Sequence, residues 1–263
     1  MTAGRGGGVA GLGEMGVLGE MGVLGAAGVL AGVVGTAGGI TSLISYPALL
    51  AAGLPPLSAN VTNLVAGVAC WPGAALASGP ELAGRGPWLR RWIPLSALGG
   101  AVGAVLLLCT PPGVFARVVP FLVAAGSLAL LAQPRLTALH QRHRTGALLP
   151  VGLLTVSVYG GYFGAGSGVL VLALLLTTAE PHLPRANALK NMLIGAPALI
   201  SSVAFAAFGP VNWTAAAPLA LGMFTGSTLG PRVARHLPPT ALRHLVALLG
   251  LALAARLWLT PTG

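Results

Sequence analysis

Two short polar clusters interrupt an otherwise apolar chain, SANVTN at Ser58–Asn63 and RANALKN at Arg185–Asn191. They hold Asn60, Thr62 and Asn63 in one case and Asn187, Lys190 and Asn191 in the other, and Lys190 is the only lysine in the sequence. Each cluster follows a Pro-containing turn and opens a hydrophobic segment, so its donors stand at a helix start. There the free N–H groups and the helix dipole already favour negative charge. Amides, one ammonium and two helix N-termini are the equipment for holding an anion without covalent chemistry. Helix capping by Ser58, Asn60 and Asn187 is the simpler reading of part of each cluster. It suits Asn63 and Asn191 less, since they sit deeper in the segment, where a polar side chain is costly without a use. Lys190 is either a topology anchor that snorkels to the interface or a charge counterpart for a substrate.

Catalytic constellations are hard to assemble here. There is no Asp, and the four Glu are scattered, so neither a Ser-His-Asp set nor a carboxylate pair is available. The expectation is that the chain is not an enzyme, with no cofactor and no metal site. His140 and His143, in HQRH, read as a solvated face because no Cys or carboxylate accompanies them. Cys70 and Cys109 lie in apolar segments with no CxxC spacing and read as small packing residues. The net charge of +10 comes almost wholly from Arg in short loops, not from a basic stripe with aromatics, so nucleic acid is not an expected partner.

The elements that must position the clusters are membrane segments. The chain is 55% hydrophobic and only 7% charged, far too few charges to cover a soluble surface. Hydrophobic segments stand at about 22–53, 57–79, 92–110, 114–132, 147–179, 187–209, 212–230 and 241–259. Six have the length of a single crossing. The first and fifth exceed 30 residues and are interrupted by GTAGG (Gly35–Gly39) and GAGSG (Gly164–Gly168). Each is expected to break there, as two half-helices entering and returning or as one crossing followed by an irregular arm. GAGSG lacks the strand, soluble helix and distant acid of a dinucleotide site. Gly99/Gly103 and Gly222/Gly226 form GxxxG pairs and are expected to pack helices, with Gly103 accepting alanine at little cost.

The chain repeats itself. A shift of 128 residues brings Gly38 onto Gly166, Pro56 onto Pro184, Asn63 onto Asn191 and Gly67 onto Gly195 without a gap. Charged and uncharged loops swap places between the two copies, the behaviour of an inverted repeat. With the first segment of each half re-entrant, one face carries ten arginines and the other three, whereas eight plain crossings would divide them eight to five. The expected fold is therefore an all-α multi-pass membrane protein of eight hydrophobic segments in two four-segment repeats. The repeats are inverted, and the first segment of each is broken or re-entrant. Residues 1–21 form a Gly-rich, disordered leader, 22–132 the first membrane repeat, 133–146 a basic linker and 147–263 the second repeat.

The glycine-broken segments, the Pro-turn before each Asn-rich helix start and the closing LGxxxGxxLGPRVARHLPPTALRHLVALLG resemble the sulfite exporter TauE/SafE family. The resemblance covers about residues 25–259 and implies a secondary transporter of small sulfur-containing anions, such as sulfite or organosulfonates, in the cytoplasmic membrane. Substrate is expected between the two repeats, against Gly38, Gly39, Asn63, Gly166, Ser167, Lys190 and Asn191. The expected partners are a small anionic substrate and the lipid bilayer, and pairing with a second copy is admitted. The alternative is a membrane scaffold or accessory subunit whose glycines only pack helices.

Overall fold

The computed structural model describes residues 7–139, 148–234 and 239–259, and the regular structure among them is entirely helical. His140, Arg142, His143 and Arg144, and with them most of the basic linker's charge, lie outside the described residues.

In the first half, α1 (Gly7–Gly38) begins inside the Gly-rich leader and is followed by α2 (Ser42–Ala51), α3 (Pro56–Gly67), α4 (Cys70–Ala77) and the single turn α5 (Gly79–Leu82). Two long helices complete it, α6 (Gly86–Leu108) and α7 (Pro112–Leu139). The second half runs α8 (Leu148–Tyr162), α9 (Ser167–Thr178), α10 (Leu183–Phe208), α11 (Trp213–Ala234) and α12 (Pro239–Leu259). Among the described residues, four helical stretches are long and apolar enough to cross a membrane: Gly19–Gly38, Gly86–Leu108, Pro112–Ala132 and Leu183–Phe208. By contrast α2, with 10 residues, and α9, with 12, are only about 15 and 18 Å long, roughly half of a hydrocarbon core.

Both glycine motifs coincide with backbone breaks. The first runs from the end of α1 through Gly39, whose φ is 77°, to Ser42, and the second from the end of α8 through Gly164 and Gly166, whose φ values are 82° and 77°. The two breaks touch backbone to backbone. A Cβ on Gly39 would lie 2.5 Å from the Gly168 carbonyl carbon, so a left-handed turn and a close approach both demand glycine there. The second segment, expected as one span over 57–79, is instead split between α3 and α4. Pro72 has no N–H to continue the ladder, and the chain bridges the gap with a tighter Trp71 N–H to Val68 carbonyl bond of 3.0 Å.

The halves interlock. The first helix of each packs along the third long segment of the other, α1 on α11 and α8 on α6. Likewise α7 packs on α9 as α12 packs on α2. Gly222 and Gly226 sit against the α1 backbone and Gly103 against the α8 backbone, as packing glycines should. The ends also meet across the halves. Arg85, at the start of α6, pairs with Glu180 in the turn before α10. At the corresponding place in the other half, Ser58 donates to the Pro210 carbonyl at 2.9 Å, and the Asn212 N–H donates to Thr62 Oγ1 at 2.9 Å.

The tightness of these contacts corrects the expectation that Gly103 tolerates alanine. Its Cβ would overlap the Val158 carbonyl oxygen and stand 2.8 Å from the Tyr162 nitrogen, and neither backbone atom can move alone. Gly103→Ala should lower stability by about 1–3 kcal/mol, the usual cost of overpacking. Gly113→Ala, in open space within a helix, should be neutral or slightly stabilising. Thermal unfolding of the two detergent-solubilised variants beside the parent checks the contrast.

Candidate functional site

A helix broken inside a membrane protein leaves carbonyls without acceptor duty at one end and N–H groups without partners at the other. The way each set is handled defines the site.

The carbonyl ends are met by side chains of the opposite half. At the end of α1 the Thr36 carbonyl accepts from Asn187 Nδ2 at 3.0 Å, Lys190 Nζ at 3.2 Å and Asn191 Nδ2 at 3.5 Å. Lys190 also donates to the Gly35 carbonyl at 3.3 Å. At the end of α8 the Tyr162 carbonyl accepts from Asn60 Nδ2 at 3.0 Å. The polar clusters are therefore not caps of their own helices. The helices begin earlier, at Pro56 and Leu183, with Pro55 and His182 at the N-cap positions and no side-chain cap bond. That puts Asn60 and Asn187 one turn inside, where they reach a neighbour whose carbonyls need donors.

Lys190 is fully buried, with 0% exposure. This removes the snorkelling reading, since its ammonium lies among backbone carbonyls and not at an interface. Among the described residues no carboxylate pairs with it; the described ion pairs are those of Glu180 with Arg85 and His182. A buried cation offset only by carbonyl dipoles is an incomplete arrangement.

The N-terminal ends of α2 and α9 border a cavity. Gly39, Thr41 and Ser42 border it from the start of α2, and Ser167 and Gly168 from the start of α9. Its interior offers about 120 Å³ to the centres of water-sized molecules, roughly ten times what one water needs. Asn63 and Asn191 also line it, as do Trp71 and Gly195, and among the described residues none of the lining is charged. Asn63 is held on both sides: its amide donates to Ser42 Oγ at 3.0 Å, and its oxygen accepts from Ser45 Oγ, fixing α3 to the first turn of α2. The Trp71 indole nitrogen is buried without a partner.

Of the seven residues singled out in the sequence, Gly39, Asn63, Ser167 and Asn191 line this cavity. Gly38, Gly166 and Lys190 do not. Gly166 packs its Cα against Gly126, and Lys190 stands one layer back, behind Gly35 and Thr36, which are lining residues. Sequence reasoning missed Ser42, Thr41, Ser157 and Trp71. A signal existed for Ser42, which with Ser45 makes an i, i+3 pair facing Asn63; Trp71 and Ser157 lie in apolar runs with no such mark.

A family model described as sulfite exporter TauE/SafE matches residues 23–257. A Sinorhizobium protein called "Probable membrane transporter protein ORF9" is 30% identical, over 88% of this chain and 90% of its own. A "Probable membrane transporter protein" of Haemophilus influenzae is 30% identical over 82% and 85%, and "Probable membrane transporter protein YfcA" of Escherichia coli K12 is 25% identical over 86% and 85%. No solved structure matches.

The geometry separates the amides by consequence. Asn63→Ala removes one buried and one part-buried hydrogen bond and should cost about 1–3 kcal/mol. Asn187→Ala should cost under about 1 kcal/mol, because the Thr36 carbonyl keeps Lys190 and Asn191 and the buried, unpartnered Asn187 Oδ1 disappears with the substitution. Chemical or thermal unfolding of both variants measures the difference.

Proposed function

The chain belongs to the sulfite exporter TauE/SafE family and is a multi-pass membrane transporter, not an enzyme, and from that premise we propose that it carries a small sulfur-containing anion, sulfite or an organosulfonate, through the cavity between the two helix breaks. The observation that carries this reading is the buried, carboxylate-free Lys190 standing behind a cavity onto which two half-helices open their N-termini. Each N-terminus is worth roughly half a positive charge. The Thr36 and Tyr162 carbonyls at the opposing ends are engaged by Asn60, Asn187, Lys190 and Asn191, which reduces the negative pole there and favours an anion between the breaks. Ser42, Asn63 and Asn191 offer neutral donors to oxygen atoms of the anion, and Lys190 contributes charge through the α1 end it holds.

We read the membrane arrangement as eight segments in two inverted four-segment repeats, with α1–α2 and α8–α9 as the broken first segments, set in the cytoplasmic membrane. Three observations support it. The paired helices exchange partners symmetrically between halves. The half-length α2 and α9 suit re-entrant arms. Finally, Arg85 meets Glu180 and Ser58 meets Pro210, although eight plain crossings would put the members of each pair on opposite faces. The arginine-rich face is then cytoplasmic.

Purified protein in liposomes should carry out saturable sulfite or alkylsulfonate flux. Lys190→Met should weaken anion binding about tenfold, as the loss of a through-space charge worth on the order of 1–2 kcal/mol at an effective dielectric near 20 implies. The same variant should unfold at the parent's temperature or above, since it removes an uncompensated buried charge and leaves the Thr36 carbonyl with two amide donors. Flux and affinity equal to the parent's would remove Lys190 from the site, and absence of sulfite or alkylsulfonate flux would remove the sulfur-containing anion as substrate.

A further inference from the structure

At the arginine-rich end, Glu180 is 3% exposed although it lies in a turn, and its carboxylate is held from three directions. The Arg85 guanidinium of the other half pairs with Oε2. The His182 backbone N–H donates to Oε1 at 3.2 Å, and the His182 ring nitrogen Nδ1 lies 2.9 Å from the same oxygen. Burial raises the Glu180 carboxyl, but the His182 bonds and the Arg85 charge more than offset it. The group stays below its ordinary value and is ionised at neutral pH. Beneath the pair, Leu82, Trp88 and Trp92 of the first half pack with Leu175, Leu189 and Leu193 of the second. Leu193 is itself a wall of the cavity, and α9 runs from Ser167 at the cavity to Thr178 beside the pair, a rise of about 17 Å.

The other end is built differently. Moving by the repeat of 128 residues, Glu180 becomes Ala52, His182 becomes Leu54 and Arg85 becomes Trp213, so the corresponding positions hold no charge. The two halves meet instead through Ser58 with the Pro210 carbonyl and Thr62 with the Asn212 N–H. Under this end lie Tyr46, Phe115 and Phe163, with Tyr46 edge-on to Phe163 at 5.4 Å.

We propose that the Arg85–Glu180 pair is an ionic latch that holds the two halves together over the arginine-rich mouth of the cavity, while the contacts at the corresponding place of the opposite mouth, Ser58 with Pro210 and Thr62 with Asn212, are neutral. The inference rests on the reading of the cavity as a route reached from each face in turn. It adds an asymmetry that the repeat does not have: one mouth is shut by charge and responds to charge removal, and the other does not. Arg85 is a third exposed, so the pair's strength is below that of a fully buried one.

Cys70 lines the cavity and provides a reporter thiol once Cys109, the other free cysteine, is changed to serine. In sealed vesicles of each orientation, the rate of Cys70 alkylation by a membrane-impermeant maleimide reads the opening of each mouth. Glu180→Gln and Arg85→Glu should each speed labelling from the arginine-rich face by roughly tenfold, equivalent to about 1.4 kcal/mol of lost closure. Labelling from the opposite face should stay at the parent's rate. The charge-swapped double variant Arg85→Glu/Glu180→Arg should return labelling toward the parent, and Arg85→Lys should resemble it, which separates a latch from general damage to the fold. Unchanged rates in both single variants, equal acceleration from both faces, or no recovery in the swap would overturn the latch. Labelling needs no transported anion, so a chain that moves no sulfite would still report whether the latch exists.

Discussion

Everything in this molecule depends on finding partners for backbone groups at two helix breaks where lipid cannot supply them. An unpaired carbonyl or N–H at membrane depth costs several kcal/mol, so breaks persist only where other parts of the protein or a wet cavity satisfy them. Here each half's broken helix is answered by the other half. Lys190, Asn187 and Asn191 reach the end of α1, and Asn60 reaches the end of α8. The glycines follow from the same demand. Gly39 and Gly168 let the breaks approach backbone to backbone, and Gly103, Gly222 and Gly226 let the long helices close around them.

That exchange has an electrostatic consequence. A broken helix presents a negative end and a positive end to the same region. With the carbonyls engaged by side-chain donors, the N-termini of α2 and α9 dominate the cavity. On the proposed reading, selectivity for an anion needs no charged residue in the described lining, and Lys190, which is fully buried, acts from behind the wall. A site made of dipoles and amides holds its ligand less tightly than a cluster of arginines would, which suits a protein that must also release it.

Much of this was legible in the sequence, because the demand for glycine and for helix-start donors leaves marks that a repeat makes visible. GTAGG and GAGSG coincide with the breaks, and the 128-residue repeat brings Asn63 and Asn191 to one cavity. What was not legible concerns which neighbour a side chain reaches. Asn60 and Asn187 have the composition of caps, and only the packing of opposite halves reveals that they serve the other half's break. Lys190 has the position of a snorkelling anchor until the fold buries it completely. The split of the second segment at Pro72 was visible as a proline but ambiguous, since Pro94 and Pro197 sit within continuous helices. Gly103 carries the same motif as any packing glycine, and its intolerance depends on a distance that no motif encodes.

The central claim is that an oxyanion sits between the two breaks, and the most direct measurement is to locate one. Selenite has the shape and charge of sulfite and scatters X-rays anomalously, so crystals of the protein grown with it can report the anion's position without modelling its identity from density alone. The account predicts an anomalous peak inside the cavity, within hydrogen-bond distance of Asn63, Asn191, Ser42 or Ser167 and beyond direct reach of Lys190 Nζ. A peak elsewhere in the protein, or direct coordination by Lys190 with the α1 carbonyls released, would contradict it.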